Sequence, residues 1–358
     1  EAAKSFVTLE DLQAKAGSFI AEVTSSEAAY VTCGASAAIT LGTAACLTGF
    51  DPVKMNRLPN TSGMRNEVII QKCQRSGFDR CLRAAGAQLV EIGLSDRCLG
   101  YELKHAINDN TAAVFYTVEK HEDAGLSLTE VLKIAHEFEI PVLVDAATQL
   151  PPRSNLKAFS KMGADLVCYS GGKAIRGPQS TGILCGRKSL VTAAALNNQD
   201  TDIPWRWRTD LFDNTLIEGP PENGIGRALK VSKEEIIGLV TALKLFLAGD
   251  DAEELNGWDR LVEHLVEKLQ GLPGTTVEKI PSVLGPHKRI HPPSVRITLN
   301  ADAKVTIGEL ADTLRQTDTP IYCREQLKKN TIVMNPYNLK WDDLEIITQR
   351  LWKILTFS

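Results

Sequence analysis

DLVCYSGGKAIRGPQ, residues 165–179, joins a short hydrophobic strand to a glycine turn that ends in Lys173. The apolar run Leu166–Tyr169 has the length and composition of a buried strand in a parallel sheet. The pair Gly171-Gly172 ends this strand, and further glycines and a proline mark turns before the next apolar run, Ile183–Cys185. Lys173 is therefore predicted to stand just beyond the carboxyl end of a strand.

A second candidate strand, Pro141–Asp145, ends in an aspartate. Ligands of open parallel sheets bind outside the carboxyl ends of the strands. Asp145 and Lys173 are therefore predicted to lie at the same ligand-binding edge. Taken singly, a lysine after glycine is commonly a solvated loop residue, and an aspartate at a strand end is commonly a turn or helix cap. The shared edge favours a functional role for both.

An amine and a carboxylate at opposite ends of one ring are what pyridoxal-phosphate chemistry requires. The lysine amine condenses with the cofactor aldehyde, and the carboxylate keeps the pyridine nitrogen protonated so that the ring can accept electrons. Lys173 and Asp145 are the residues of this chain that meet the requirement. We therefore predict pyridoxal 5'-phosphate as the cofactor.

A glycine turn near the amino terminus is a candidate phosphate site. The short strand Tyr30–Thr32 is followed by Cys33–Ser36 and an alanine-rich run to Leu47. A strand, a glycine turn and a helix start direct free backbone N–H groups and the positive end of the helix dipole at an anion. An ordinary buried helix of a sheet protein has the same pattern, so this motif alone leaves both interpretations open.

The order of the remaining elements predicts an α/β fold with a mainly parallel sheet. Strands are expected at 68–70, 88–92 and 112–116, a helix at 9–23, and a helix capped by Ser127–Glu130 before the Asp145 strand. Alternation of strands and helices implies a sheet covered on both sides. Helices near 258–269, 307–314 and 342–355 and strands near 295–298 and 331–334 indicate a compact α+β carboxyl-terminal domain. The predicted domains are 1–225 with the large sheet, a bridging helix in 226–250 and a small domain in 251–358.

Composition limits the class of protein. The 358 residues include 43% hydrophobic and 23% charged residues, and the net charge of −4 argues against broad nucleic-acid binding. No apolar run approaches the roughly 20 residues that cross a bilayer, so no membrane partner is predicted and the cytoplasm is expected. Eight cysteines without a C-x-x-C pair indicate reduced thiols. His287 and His291 lie among prolines that prevent a regular helix, so no metal site is predicted.

These motifs resemble the fold type I pyridoxal-phosphate enzymes, and among them the selenocysteine synthase-like group, which includes the D-glucosaminate-6-phosphate ammonia-lyases. The resemblance runs through most of the chain. It rests on EAAYVTCGASA at 27–37, NEVIIQK at 66–72, VDAA at 144–147, SGGKAIRGPQSTG at 170–182 and GRALKVSKEEI at 226–236. The lysine segment with its Gly-Pro-Gln continuation is the most specific of these.

The resemblance implies a role for each candidate site residue. Lys173 is implied to be the Schiff-base lysine and Asp145 the partner of the pyridine nitrogen. Arg324 is implied to bind the substrate carboxylate, since a guanidinium can bind a carboxylate through two hydrogen bonds. Arg65 and Gln179 are further candidate substrate contacts; Arg65 could bind a distal anion, and a surface charge is the alternative interpretation. The implied cofactor-binding residues also include Gly34, Ala35, Ser36, Ser170, Arg227 and Lys230. For Arg227 and Lys230 the alternative stays open that they are two solvated charges at the start of a helix.

One stretch departs from the family pattern. Relatives in the ammonia-lyase branch often carry a histidine soon after the Glu-Val-Ile-Ile strand, where a flat side chain can cover the cofactor ring, whereas residues 72–75 here read Lys-Cys-Gln-Arg. His121 is a candidate substitute, and a loop histidine is the simpler interpretation. Arg206 and Arg208 are candidates for binding a distal anion. The resemblance implies a homodimer or higher homo-oligomer, and the loop 197–218, with Trp205 and Trp207, would suit its interface; an ordered surface loop is the alternative.

The implied activity is that of a lyase. It would eliminate the β-hydroxyl of a hydroxylated amino acid or amino sugar acid, such as D-glucosaminate 6-phosphate, and yield a 2-keto-3-deoxy acid and ammonia. The same fold supports a racemase, an aldolase or an aminotransferase, because it does not determine which bond at Cα breaks. Selenium transfer onto seryl-tRNA is a narrower alternative. It is disfavoured because the chain carries a net negative charge, whereas binding a tRNA requires positive charge. A ligand-binding protein without activity is the remaining alternative.

Overall fold

The computed structural model describes residues 1–118, 124–198 and 224–357. The chain divides into two compact units, Glu1–Ala248 and Gly249–Ser358. The predicted bridging helix, observed at Lys233–Ala248, belongs to the first unit. His121, Trp205, Arg206, Trp207 and Arg208, which the sequence singled out, lie outside the described residues.

The first unit contains a seven-stranded sheet among its described residues. Its strands are β1 Ala28–Thr32, β2 Glu67–Gln71, β3 Gln88–Ile92, β4 Thr111–Thr117, β5 Val142–Asp145, β6 Leu166–Ser170 and β7 Gly182–Gly186. The helices are α1 Leu9–Thr24, α2 Gly34–Thr48, α3 Pro52–Arg57, α4 Arg80–Ala84, α5 Gly100–Ala106, α6 Leu128–Glu137, α7 Asn155–Met162, α8 Lys188–Asn197 and α9 Lys233–Ala248.

The sheet is mainly parallel, as predicted. The strand order is β1-β7-β6-β5-β4-β2-β3, and β7 runs antiparallel to both of its neighbours. The first residue of β7, Gly182, pairs with Thr32 at the end of β1 and with Ser170 at the end of β6. The carboxyl ends of β1, β4, β5 and β6 therefore meet at one edge.

Helices cover both faces of this sheet because its strands are apolar on both sides. Along β4, Phe115 packs in a cluster with Leu41 of α2, while Tyr116 packs in a cluster on the other face with residues of α1, α6, α7 and α9. Leu143 of β5 lies in the same cluster as Phe115. Since side chains alternate along a strand, Thr117 and Asp145, each two residues further, lie on the α2 face.

The second unit has its own core. Its elements are α10 Asp251–Leu269, β8 Thr275–Ile280, β9 Val283–Leu284, β10 Ile290–His291, β11 Ser294–Leu299, α11 Ile307–Arg315, β12 Arg324–Gln326, β13 Thr331–Met334 and α12 Trp341–Phe357. An antiparallel sheet in the order β12-β13-β11-β8 packs against the helices around Leu265, Ile297 and Leu310. This unit has the predicted α+β class. Among the described residues, no helix has both the length and the apolar character that a bilayer crossing requires.

Candidate active site

A cavity of about 520 Å³ opens at the carboxyl edge of the large sheet. Its lining includes Lys173 and Asp145, the two residues predicted to lie at one ligand-binding edge of the sheet. Gly34, Ala35, Ser36, Ser170 and Gln179 also line it. Seven of the predicted site residues thus come together in one cavity.

The turn that carries Lys173 is held by backbone hydrogen bonds. Gly171 N donates to Thr181 O at 2.8 Å, Gly177 N donates to Gly171 O at 2.8 Å, and Arg176 N donates to Lys173 O at 2.9 Å. Arg176 takes a positive φ of 59° to close the turn. The Lys173 side chain is left exposed in the cavity wall.

Asp145 is the last residue of β5 and is half-buried. Its Oδ1 accepts a hydrogen bond from Ala147 N at 3.0 Å, which orients the carboxylate at the strand end. Burial, together with the negative charge of Asp145, raises the pKa of the Cys168 thiol well above its ordinary value. The Asp145 carboxylate is fixed at the cavity by its position at the end of β5 and by the hydrogen bond from Ala147 N.

The amino terminus of α2 has the geometry of an anion site. Cys33 occupies the N-cap position and its side chain makes no capping hydrogen bond, and the first N–H groups of a helix have no partner within the helix itself. Gly34 to Ser36 form the first turn, and all three line the cavity. Unsatisfied N–H groups and the positive end of a helix dipole together favour a phosphate or a carboxylate.

The structure also adds lining residues to which the sequence analysis assigned no role in the site, although it had placed Cys33 in the candidate phosphate turn and residues 73–75 in the stretch that departs from the family pattern. They are Cys33, Ile39, Cys73, Gln74, Arg75, Ser76, Phe78, Thr117, Val118, Ala147, Thr148 and Ser180. Most of them follow the ends of β2, β4 or β5. The signal that could have found Gln74 and Thr117 is their place next to the end of a predicted strand, where parallel sheets present side chains to ligands.

Arg75 is paired with carboxylates. Its guanidinium contacts Asp79, which is 2% exposed, and Glu91. The hydrogen bond to Asp79 raises the pKa of Arg75 above its ordinary value. Asp79 in turn accepts from Ser76 N at 3.2 Å, so the pairing holds the 3-10 turn Gly77–Asp79, with Phe78, at the cavity.

Four predicted basic residues lie elsewhere. Arg65, Arg227 and Lys230 are not among the described residues that line this cavity. Arg324 belongs to the second unit, where it lines a separate cavity of about 520 Å³ together with Ile321, Tyr322 and Asn338. Among residues 1–118, 124–198 and 224–357, no group of three or more His, Cys, Asp or Glu side chains is arranged to hold a metal ion.

Comparison with known proteins gives relatives along the whole chain. Residues 78–201 match the family described as SelA, L-seryl-tRNA selenium transferase. The chain is 28% identical to D-glucosaminate-6-phosphate ammonia lyase of Salmonella typhimurium over 361 residues, which cover 99% of this chain and 88% of that protein. It is 29% identical over 371 residues to a Streptomyces 5'-C-glycyluridine monooxygenase-decarboxylase, with 99% and 83% covered.

A solved structure is similar over the same length. The structure of D-glucosaminate-6-phosphate ammonia-lyase matches with a TM-score of 0.82 and 26% identity, and the match covers 99% of this chain and 89% of that one. The similarity in sequence and the similarity in structure therefore point to the same relative.

Proposed function

We propose that the chain is a fold type I pyridoxal-phosphate enzyme of the selenocysteine synthase-like group, to whose members it is similar, and that it is a lyase acting on a hydroxylated amino acid or amino sugar acid. The observation that carries this proposal is the meeting of Lys173, Asp145 and the uncapped start of α2 in one cavity. An amine, a carboxylate and an anion site are the three groups that the chemistry needs.

The residues present fit pyridoxal 5'-phosphate. The first turn of α2 offers backbone N–H groups to a phosphate, Lys173 offers an amine to an aldehyde, and Asp145 offers a carboxylate to a pyridinium nitrogen. The bound cofactor supplies an electron-accepting ring that stabilises negative charge at the substrate Cα. Asp145 contributes by keeping a proton on the ring nitrogen.

Lys173 is proposed to move the protons of the reaction. Its Nζ would act as the general base that takes the proton from the substrate Cα. The same proton can pass to the β-hydroxyl as that group leaves as water, so one amine serves both steps. The enamine that forms is hydrolysed to a 2-keto-3-deoxy acid and ammonia, and the water lost in the first step balances the water used in the second.

The cavity wall supports a hydroxylated substrate. Eight lining residues carry hydroxyl or amide side chains: Ser36, Gln74, Ser76, Thr117, Thr148, Ser170, Gln179 and Ser180. Such groups can donate and accept hydrogen bonds with a chain of substrate hydroxyls. D-Glucosaminate 6-phosphate, named for the ammonia-lyase relative, is the first substrate to test.

The basic residues remain part of this proposal. We propose that Arg324 binds the substrate carboxylate, that Arg65 and Gln179 contact the substrate, and that Arg227 and Lys230 provide positive charge for phosphate groups. The support for Arg324, Arg227 and Lys230 is the family resemblance of the segments that carry them, and the support for Gln179 is its place in the lining of the cavity that contains Lys173. Substituting each arginine by glutamine should raise KM by more than it lowers kcat where the contact is to the ground-state substrate.

Oxidative decarboxylation is a second candidate. It is favoured by the 29% identity, over 99% of this chain, to a protein named as a monooxygenase-decarboxylase. That reaction breaks the bond from Cα to the carboxylate, consumes O₂ and releases CO₂. An elimination consumes no O₂ and retains the carboxylate, so gas measurements separate the two reactions.

The experiment begins with the purified protein and pyridoxal 5'-phosphate. Borohydride reduction followed by peptide mass mapping should find a cofactor adduct on Lys173, and Lys173→Ala should abolish it. Lys157→Ala, an exposed lysine on α7, is the matched control and should retain it. D-Glucosaminate 6-phosphate should then give keto acid and ammonia in equal amounts without O₂ uptake. An absent adduct, or products that retain the amine, would contradict the proposal.

We also propose a homo-oligomeric state and a cytoplasmic location. The basis is the family resemblance and the absence of long apolar runs from the sequence. A solution mass equal to that of one 39.1 kDa chain would contradict the oligomer.

A further inference from the structure

Thr117 is the neighbour of Asp145 in the sheet. β4 and β5 are parallel, and the Cα of Thr117 pairs with the Cα of Asp145. Adjacent strands lie about 4.8 Å apart, and both side chains point to the α2 face. Thr117 therefore lies beside Asp145, whose carboxylate is proposed to face the cofactor nitrogen, and Thr117 lines the same cavity.

The Thr117 backbone N–H is already satisfied, but the side-chain hydroxyl is not. Thr117 N donates to Oε1 of Gln74 at 3.2 Å, and Gln74 is 5% exposed. Thr117 Oγ1 is buried and makes no hydrogen bond to any residue within the described ranges. Most buried hydroxyls have a hydrogen-bond partner, because an unpaired one loses its hydrogen bonds to water and gains none in the protein.

The geometry points to Thr117 as a cofactor contact: its hydroxyl hydrogen-bonds a polar atom at the edge of the bound ring, next to Asp145. This inference rests on the proposed function. In the proposed contact, the hydroxyl leaves its buried position by rotation about the Cα–Cβ bond to another staggered rotamer. A hydroxyl both donates and accepts, so it can serve a ring nitrogen or a ring oxygen.

A purely structural role predicts a different pattern of effects. If the Thr117 hydroxyl stabilised the unliganded fold, its removal would destabilise that fold and leave cofactor affinity unchanged. If it is kept for the cofactor, removal costs affinity and leaves the unliganded fold as stable as before or more stable, because an unpaired polar atom is lost. Affinity and stability of the same variant therefore separate the two roles.

The experiment compares Thr117→Val, which keeps the shape, with Thr117→Ser, which keeps the hydroxyl. Pyridoxal 5'-phosphate is titrated into the cofactor-free protein and Kd is read from absorbance, while thermal unfolding is followed without cofactor. Thr43→Val is the matched control, since Thr43 is 1% exposed and its hydroxyl donates to Ile39 O at 2.7 Å.

Thr117→Val should raise Kd about threefold to tenfold, as expected for one lost hydrogen bond, without lowering Tm. Thr117→Ser should bind within about twofold of the unmodified protein, and Thr43→Val should lower Tm without changing Kd. Unchanged Kd in Thr117→Val, or a fall in its Tm like that of Thr43→Val, would overturn the inference alone. Failure of the unmodified protein to bind the cofactor would overturn the proposed function and this inference with it.

Discussion

Gly182 approaches Gly34 so closely that a Cβ atom placed on Gly182 would overlap the carbonyl carbon of Gly34. The two atoms nearest to that Cβ are the backbone carbonyl carbon and oxygen of Gly34, and backbone atoms cannot move aside as a side chain would. Gly34 itself has a φ of +82°, a conformation that other residues rarely adopt. The start of β7 is thus pressed against the first turn of α2, and this approach holds the uncapped N–H groups at the cavity.

Gly182→Ala should therefore damage the anion site as well as the fold. The added methyl group must push α2 and β7 apart, which costs about 1–3 kcal/mol for overpacking. We expect lower stability in urea unfolding and weaker binding of pyridoxal 5'-phosphate.

Gly257→Ala is the matched control for Gly182→Ala. A Cβ atom on Gly257 meets nothing within 4 Å, and the residue lies inside α10. Alanine is the better helix former by up to about 1 kcal/mol, so this variant should gain stability and bind the cofactor normally. Equal cofactor affinity in the two variants would show that the approach of Gly182 to Gly34 does not shape the site.

Asp145→Asn should remove activity while preserving the fold. The carbonyl oxygen of the introduced amide can still accept the hydrogen bond from Ala147 N, which is 3.0 Å from Oδ1 in the native protein. The negative charge is lost, however, and with it the stabilisation of a protonated ring nitrogen. We expect kcat to fall by at least about 100-fold, as when a preorganised electrostatic contact is removed. Steady-state kinetics and urea unfolding of the same preparation measure both effects.

Asp165→Asn should give the opposite result. Asp165 is 4% exposed and lies just before β6, at the other end of the strand that leads to Lys173. Its carboxylate accepts from Val142 N at 2.7 Å and from His136 Nε2 at 2.9 Å, and it pairs with Arg187. Loss of these charge-assisted bonds should cost about 1.5–3 kcal/mol of stability and leave kcat unchanged. A large fall in kcat here would mean that activity reports on folding rather than on Asp145.

The sequence predicted the elements whose residues carry a strong local signal. The apolar runs ending in Asp145 and Ser170 are strands with nearly the expected bounds, and Ser127 caps its helix through a capping box as expected. β8 was missed because Thr275–Ile280 alternates half-buried with exposed residues and carries few apolar ones. Its identity as a strand comes from pairing with β11, which is a contact between distant parts of the chain.

Some residues of the candidate site could likewise be predicted from the sequence, and others could not. Lys173 and Asp145 could be found because glycines and strand ends mark their positions in the sequence. Thr117 could not be singled out, because its importance comes from its pairing with Asp145 and from a hydroxyl without a partner in the described chain. Whether a basic residue is available for a ligand also depends on contacts distant in sequence: Arg75 lines the cavity but is paired with Asp79 and Glu91.

Arg75 and Asp79 should be energetically coupled. Arg75→Gln leaves a nearly buried carboxylate without its cation, so it should lower the free energy of unfolding by about 1–3 kcal/mol. Asp79→Asn should cost a similar amount, and the double variant should cost less than the sum. The double-mutant cycle in urea should give a coupling of about 0.5–3 kcal/mol. Strict additivity would mean that the pair does not hold the turn that presents Phe78.

Two buried thiols should make the protein less stable at alkaline pH. Cys168 and Cys185 are 0% exposed, and burial raises the pKa of each above the ordinary 9.0. The neutral thiol is the form that the core accommodates. In the unfolded chain these thiols ionise near their ordinary pKa, whereas in the folded protein they keep their protons to higher pH.

The free energy of unfolding should therefore be constant with respect to these thiols below about pH 8.5 and fall above it, by up to about 1.4 kcal/mol per pH unit for each thiol. The sign follows because the folded state then binds more protons than the unfolded state, so a rise in pH favours unfolding. Urea unfolding between roughly pH 7 and pH 10.5, a range that spans the ordinary thiol pKa, measures the slope. Cys168→Ala combined with Cys185→Ala should reduce the slope, and the remainder should come from groups such as Cys46 and Cys98, whose pKa values burial also raises. Thr43→Val, which alters a buried neutral group, should lower stability equally at every pH. An unchanged slope in the double alanine variant would assign the alkaline loss to other groups.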